Sequence, residues 1–303
     1  MREFELLSAI FAKNDRLGSE VVIPPGDDMG MVRLRSGAEI LVGVDQVVEG
    51  RHFESGRYSW GRIGRKAVAR SLSDVAAMSA KPIACTSTAI LPAGFEDDDA
   101  KELAEGMRLC GEAFGCPLIG GDVASGEKGA LVVCTVTVLA EPGGSGRVVT
   151  RSGGKVGDGV YVSGVLGGGW RTEHHLEFEP RIDFALKILD RLGDRLHAMI
   201  DISDGLGRDL DHIAACSGTG AEIEAARVPV RSGFGLAHAM GDGEDYELCF
   251  AVDEEADVPS ELAGVPITRM GQLTALKGEK RTVVRNQDGG LSDASQMGWE
   301  HCG

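Results

Sequence analysis

The chain lacks a basic excess, a long apolar run and a paired set of cysteines, and each absence removes a class of function. Its formal net charge is −16 and its pI is about 4.9. That balance excludes a general nucleic-acid binder, which needs Lys and Arg to displace counterions. No stretch of ~18 apolar residues is present, so no transmembrane helix and no membrane partner are expected. Met1-Arg2-Glu3-Phe4-Glu5-Leu6-Leu7 lacks the charged-then-apolar order of a secretory signal. The seven cysteines are scattered, with no C-x-x-C pair. They read as reduced thiols of a cytoplasmic protein, neither a disulfide framework nor a zinc site. Familiar catalytic signatures are missing too: there is no G-x-x-x-x-G-K-[ST], H-E-x-x-H, G-x-S-x-G or H-R-D set. Gly164-Val165-Leu166-Gly167-Gly168-Gly169 does not match G-x-G-x-x-G. Aromatic residues make up only 5% of the chain.

Glycine is plentiful, at 44 of 303 residues, as tight turns and loop-built ligand sites require. Hydrophobic residues at 43% supply ample core material. The length suggests two domains on a prior of ~150 residues each. Glu141-Pro142-Gly143-Gly144-Ser145-Gly146 is the clearest break, giving domains 1–142 and 147–303. Apolar spacing predicts an amphipathic helix over 1–20, a strand from Ile40 to Val44 ending in Asp45, and a helix from Trp60 to Ala80. A strand from Ala84 to Leu91, an acid-started helix from Glu96 to about Phe114 and a strand from Ala130 to Leu139 complete the first half. The second half reads as strands near 160–163, 221–225 and 247–252, helices near 182–192 and 204–216, and a hairpin or loop over 278–290. The class is α/β (α+β).

Five aspartate motifs carry the chemistry: Gly26-Asp27-Asp28, Gly43-Val44-Asp45, Ser73-Asp74, Gly120-Gly121-Asp122 and Asp201-Ile202-Ser203-Asp204-Gly205. Each alone has a structural reading. The first is also a surface turn after Pro24-Pro25, the fourth a strand-end turn, and Ser203 or Asp204 a helix cap. Asp74 is harder to dismiss, because a charge inside an apolar helix is costly unless paired or metal-bound. Together they suggest carboxylates gathered around Mg2+, a hard cation that takes oxygen ligands beside phosphates. Gly243-Glu244-Asp245-Tyr246-Glu247-Leu248 adds three acids before a strand, and His52 follows the second motif.

In this order the motifs resemble the thiamine-monophosphate kinase family, within the superfamily typified by aminoimidazole ribonucleotide synthetase. The resemblance runs from Phe4-Glu5-Leu6-Leu7 through Glu49-Gly50-Arg51-His52-Phe53, Ser73-Asp74-Val75-Ala76-Ala77-Met78 and Thr150-Arg151-Ser152-Gly153 to Gly298-Trp299-Glu300-His301. It implies the two-domain fold of that superfamily and a homodimer whose N-terminal domains pair through their sheets. It also implies ATP held with several Mg2+ ions and γ-phosphoryl transfer to thiamine monophosphate. The metal ligands it implies are Asp28, Asp45, Asp74, Asp122, Asp201 and Asp204. Gly121, Asp122, Arg151 and Ser203 would touch ATP, and His52, Glu244 and Trp299 the thiamine phosphate. Asp74, Asp122, Asp204 and Arg151 would carry the catalysis.

The chain departs from the family in Gly43-Val44, where hydroxyl residues are usual, in Arg51, in Ser79 and in a short stretch from Gly169 to Pro180. Three alternatives stay open. One is a ring-closing or selenophosphate synthetase, the second a hydrogenase-maturation relative with Cys302 near its end, and the third a non-catalytic nucleotide-binding paralogue.

Overall fold

The computed structural model describes residues 6, 9–144, 146–276 and 280–299. Phe4, Glu5, Leu7, Ser145, Glu300, His301 and Cys302 fall outside them. Of the helix expected over 1–20, residues 6 and 9–11 are helical, Asn14–Arg16 forms a 3-10 turn and residues 17–20 are not helical.

Two sheets build the molecule. The first contains β1 (Val21–Ile23), β2 (Gly30–Arg33), β3 (Glu39–Val48), β4 (Ala80–Pro92), β5 (Leu118–Gly126) and β6 (Val133–Pro142), in the order β1-β2-β3-β6-β4-β5. Only β4 and β5 run parallel. The second contains β7 (Gly159–Ser163), β8 (Leu196–Asp201), β9 (Gly220–Glu224), β10 (Leu248–Val252), β11 (Glu261–Leu262), β12 (Val265–Thr274), β13 (Thr282–Arg285) and β14 (Leu291–Asp293). Its order is β14-β13-β9-β12-β7-β10-β8, with β11 paired to β12. The expected tail hairpin is β13–β14.

The helices are α1 (Trp60–Ala77), α2 (Asp97–Ala113), α3 (His174–Glu177), α4 (Ile182–Leu192), α5 (Leu206–Ser217) and α6 (Leu236–Gly241). Helix α1 starts where the Ser59 hydroxyl accepts the Arg62 N–H, an N-cap. It lies against the inner face of the first sheet, against α2, and against α4 and β8 of the second half. It is therefore buried nearly all round, including Lys66, Arg70 and Ser73. The α1–α2 contact is close because a Cβ at Gly64 would collide with the Leu103 carbonyl oxygen. One core runs from the first sheet through α1 and α4 to the near face of the second sheet; another lies between its far face and α5.

Two motifs sit differently from their expected places. Asp45 lies inside the ten-residue β3 and Asp122 inside β5, not on loops after strands. Both strands continue because the register past each aspartate is unbroken: Gln46 pairs with Thr135, and Val123 with Ala89. Helix α1 stops at Ala77, since Ser79 adopts a left-handed φ of 50° and Ala80 already begins β4. The stretch from Gly169 to Pro180 holds only the four-residue α3.

Candidate active site

A cleft of about 550 Å³ opens between the two halves. Its floor is a carboxylate cluster from three elements: Asp28 from the β1–β2 turn, Asp74 from α1 and Asp201 from the end of β8. Ligand oxygens of these three lie within 4.8 Å of one another. Each arrives by a different local rule. Helix α1 carries Asp74 across the first sheet, β8 ends at the second, and Pro24-Pro25-Gly26 turns the chain so that Asp28 points inward.

Three carboxylates in one dry place repel. Burial, and then the charges of Asp45, Asp201 and Asp28, raises Asp74 well above the ordinary aspartate range. Burial first, then Asp28, pushes Asp201 up to about 7. Arg151 Nη2 donates to Asp28 Oδ1 at 2.5 Å, and Ser73 Oγ to Asp201 Oδ2 at 2.6 Å. Asp28 Oδ2 is buried with no hydrogen-bond partner. A lone arginine does not balance three acids, and an orphaned carboxylate oxygen there fits a hard cation such as Mg2+.

The cleft wall is a paired system of opposite character. Glu244 Oε2 accepts from Lys66 Nζ at 2.5 Å and lies 3.2 Å from His175 Nδ1. Burial would raise Glu244, but Lys66 and the His175 hydrogen bond hold it down at about 2. Lys66 Nζ also donates to the His52 carbonyl at 2.7 Å and sits 5.3 Å from the centre of the Trp170 ring, which stacks on His175 at 4.3 Å. Glu244 and Tyr246 hold left-handed φ values of 56° and 52°, which side chains resist. Their N–H groups donate to Ser203 O at 2.7 Å and Ile202 O at 2.8 Å, and those bonds fix the strained segment.

Ser203 and Asp204 form the rim. The loop is shaped by Asp209, whose Oδ2 accepts the N–H groups of Ser203, Asp204 and Gly205 at 3.0–3.1 Å from inside α5. Trp299 N–H donates to Asp204 O at 2.9 Å, which brings the half-exposed indole to the cleft beside His52 and Arg51.

Asp28, Asp74, Asp201, Asp204, Arg151, Ser203, His52, Glu244 and Trp299 are thus gathered around one cleft. Asp45 also lines it, but Arg70 covers it, with Nε and Nη2 each 3.2 Å from one of its oxygens. Gly121 and Asp122 are not gathered. Asp45, Val136, Ser87 and Gly121 are register partners across β3, β6, β4 and β5. At ~4.8 Å per strand, Gly121 lies ~14 Å from Asp45. Asp122 belongs to the next row, with Gln46, Thr135 and Thr88, which faces outward because Val136 in the first row is buried. Gly121 is needed for packing, since a Cβ would collide with the Ser87 carbonyl oxygen.

Lys66, Arg70, Asp209, Trp170, Arg171 and His212 were not singled out from the sequence, and Tyr246 entered only as part of the Glu244 motif. For two of them a signal existed: Lys66, Arg70 and Asp74 are spaced i, i+4, i+8 and share one face of α1.

The class of protein this architecture defines is set by two family models. "AIR synthase related protein, N-terminal domain" matches residues 26–141, and the corresponding C-terminal domain matches residues 155–284. The thiamine-monophosphate kinase of Rhodopirellula baltica is 37% identical over 255 residues, spanning 80% of this chain and 78% of that relative. That of Salmonella typhimurium is 31% identical over 307 residues, spanning 90% of each. A solved structure described as AaThiL complexed with AMPPCP and TMP superposes with a TM-score of 0.82 at 26% identity, covering 99% of this chain and 97% of that one. The chain belongs to the thiamine-monophosphate kinase family, a family of kinases.

Proposed function

We propose that this chain transfers the γ-phosphoryl group of ATP to thiamine monophosphate, giving thiamine diphosphate and ADP. The observation that carries this reading is the floor of the cleft: three buried or half-buried carboxylates within 4.8 Å, with an orphaned oxygen on Asp28. The related complex with AMPPCP and TMP supports it. Asp28, Asp74 and Asp201 would hold Mg2+, with Asp204 above them. Bound there, Mg2+ would supply neutralising charge for the phosphate oxygens.

The chain's own residues do the rest. An acceptor phosphate oxygen forms the new P–O bond as the bond to the ADP leaving oxygen breaks. The acceptor is already an anion at neutral pH, so no strong general base is required. Catalysis is positioning and charge balance. Arg151, held by Asp28 and by the contact of its N–H with Asp27, presents a fixed cation to the nucleotide. Ser203 lies on the loop that Asp209 holds rigid. Glu244, kept ionised by Lys66, takes the cationic end of the thiamine, Trp299 offers it a π face, and His52 completes that end.

We extend the reading to domains 1–142 and 147–303, a cytoplasmic setting and a homodimer. The outer face of the first sheet exposes Val42, Val44 and Ile90. An apolar sheet face of this kind is normally covered. A second copy would cover it, and Gly121 and Asp122 would then serve the nucleotide across that contact. Val44→Lys should turn a dimer into a monomer by light scattering; an unchanged mass would reject the sheet pairing.

The test of the activity is direct. Purified protein with ATP, Mg2+ and thiamine monophosphate should yield thiamine diphosphate by chromatography. Absence of that product at saturating substrate would overturn the proposal.

A further inference from the structure

Two of the aspartates at the cleft are in opposite states. Asp28 gives one oxygen to Arg151 and keeps the other unpartnered. Asp45 keeps neither. Arg70 Nε reaches its Oδ2 and Nη2 its Oδ1, both at 3.2 Å, while Nη1 donates to the Gln46 carbonyl at 3.0 Å. All three guanidinium nitrogens are committed, and the Arg70 side chain is only 10% exposed. A ligand oxygen of Asp28, Asp74 and Asp201 falls into one tight cluster, and Asp45 is not part of it.

The two residues before Asp45 on β3 offer a metal no side-chain oxygen. Gly43 has no side chain, and Val44 points to the opposite face of β3, where it is 63% exposed. Mg2+ demands near-ideal octahedral oxygen geometry at ~2.1 Å. A carboxylate bridged on both oxygens by a guanidinium does not meet that demand. Arginine cannot lose its proton to make way. Removing one member of such a buried pair leaves an uncompensated charge.

We infer that Arg70 is a built-in cation of this site: it takes the place at Asp45 that a divalent metal would otherwise occupy, and the chain binds its metals on Asp28, Asp74 and Asp201 without Asp45. This rests on the cation-site reading above. The guanidinium lines the cleft and its lobe beside Arg51, His52 and Trp299, so the fixed charge faces the substrate space. The absence of oxygen-bearing side chains at Gly43 and Val44 then matches a position that no longer serves a metal.

The test counts metal instead of activity. Mn2+ is titrated into the full chain with a non-hydrolysable ATP analogue, and free Mn2+ is followed by electron paramagnetic resonance. Asp45→Asn should leave the Mn2+ count unchanged, because the amide oxygen still accepts from Arg70, whereas Asp74→Asn should lose bound Mn2+. Arg70→Met should gain about one Mn2+ per chain at the freed carboxylate, and the double variant Arg70→Met/Asp45→Asn should lose that gain. If Arg70→Met does not fold, by circular dichroism, Asp45→Asn alone decides. Loss of a bound Mn2+ in Asp45→Asn overturns the inference while leaving the cation site in place. No Mn2+ on the unsubstituted chain removes the cation site and the inference with it.

Discussion

The floor and the wall of the cleft are both acidic, yet they solve burial in opposite ways. At the floor, Asp28, Asp74 and Asp201 crowd together with one arginine among them, and burial with mutual repulsion raises Asp74 and Asp201. At the wall, Glu244 is as enclosed, but Lys66 and His175 hold it at about 2. The floor leaves one buried Asp28 oxygen with no hydrogen-bond partner, the kind of oxygen a hard cation takes. The wall carries Lys66 as its own counterion, so the charge of Glu244 is matched inside the fold. The difference is what the proposed division between a cation-holding floor and a substrate-facing wall rests on.

The comparison breaks most sharply at Asp74. Asp74→Asn removes one of the repelling charges, so the metal-free protein should melt no lower than the native chain. Phosphoryl transfer should nonetheless fall by ~10²–10³, the scale of losing a preorganised electrostatic contact. A calorimetric melt with a kinase assay checks both. Retained turnover would show that the floor is structural.

The wall should respond with the opposite pattern. Lys66→Met removes the ammonium partner of Glu244 and leaves only the His175 contact, and breaking such a buried pair costs about 3–5 kcal/mol. The melting temperature should drop steeply and Glu244 should take up a proton. Urea unfolding of this variant beside Asp74→Asn sets the two regions against each other; equal stability losses would erase the distinction.

Much of this was readable before the fold was known. Asp74 was legible because an acid in an apolar helix has no cheap structural role, and the periodicity around it placed α1 well. The order of the motifs pointed to one family. Other features were hidden for identifiable reasons. Asp45 and Asp122 read as loop residues because glycine beside an acid resembles a turn, yet cross-strand pairing carries β3 and β5 straight through them. Their opposite faces follow from register, which one strand's sequence does not state. Arg70 and Lys66 stood in plain view at i+4 spacing, but their partners, Asp45 and Glu244, come from 25 and 178 residues away in the chain. Asp209 looked like an ordinary helix acid; only the folded loop shows three backbone N–H groups converging on it.

Acid should protonate the floor before the wall: burial and the neighbouring carboxylates raise Asp201 to about 7, so it takes up its proton well before Glu244 does. The pKa of Glu244 is depressed from 4.5 to about 2. A depressed carboxylate contributes stability that is present above its unfolded pKa and is lost as pH falls through the folded one. The window is pH 4.5 down to about 2, and the full contribution is of order 3 kcal/mol. Chemical unfolding across that window should show a slope that Glu244→Gln lacks. A parallel pair of curves would mean that Lys66 does not hold Glu244 ionised.

The smallest effect belongs to Trp299, half exposed at the mouth of the cleft. Its backbone is anchored through the N–H bond to Asp204 O, so the indole is held without depending on the floor. If its role is to face a cationic ring, truncation removes a contact worth ~1–2 kcal/mol, made equally in ground and transition states. Trp299→Ala should therefore raise KM for thiamine monophosphate by ~5–30-fold with kcat nearly unchanged. KM for ATP should stay put if, as proposed, Arg151 and Ser203 meet that ligand. A fall in kcat instead would place Trp299 with the floor, as a residue that positions the reacting phosphates.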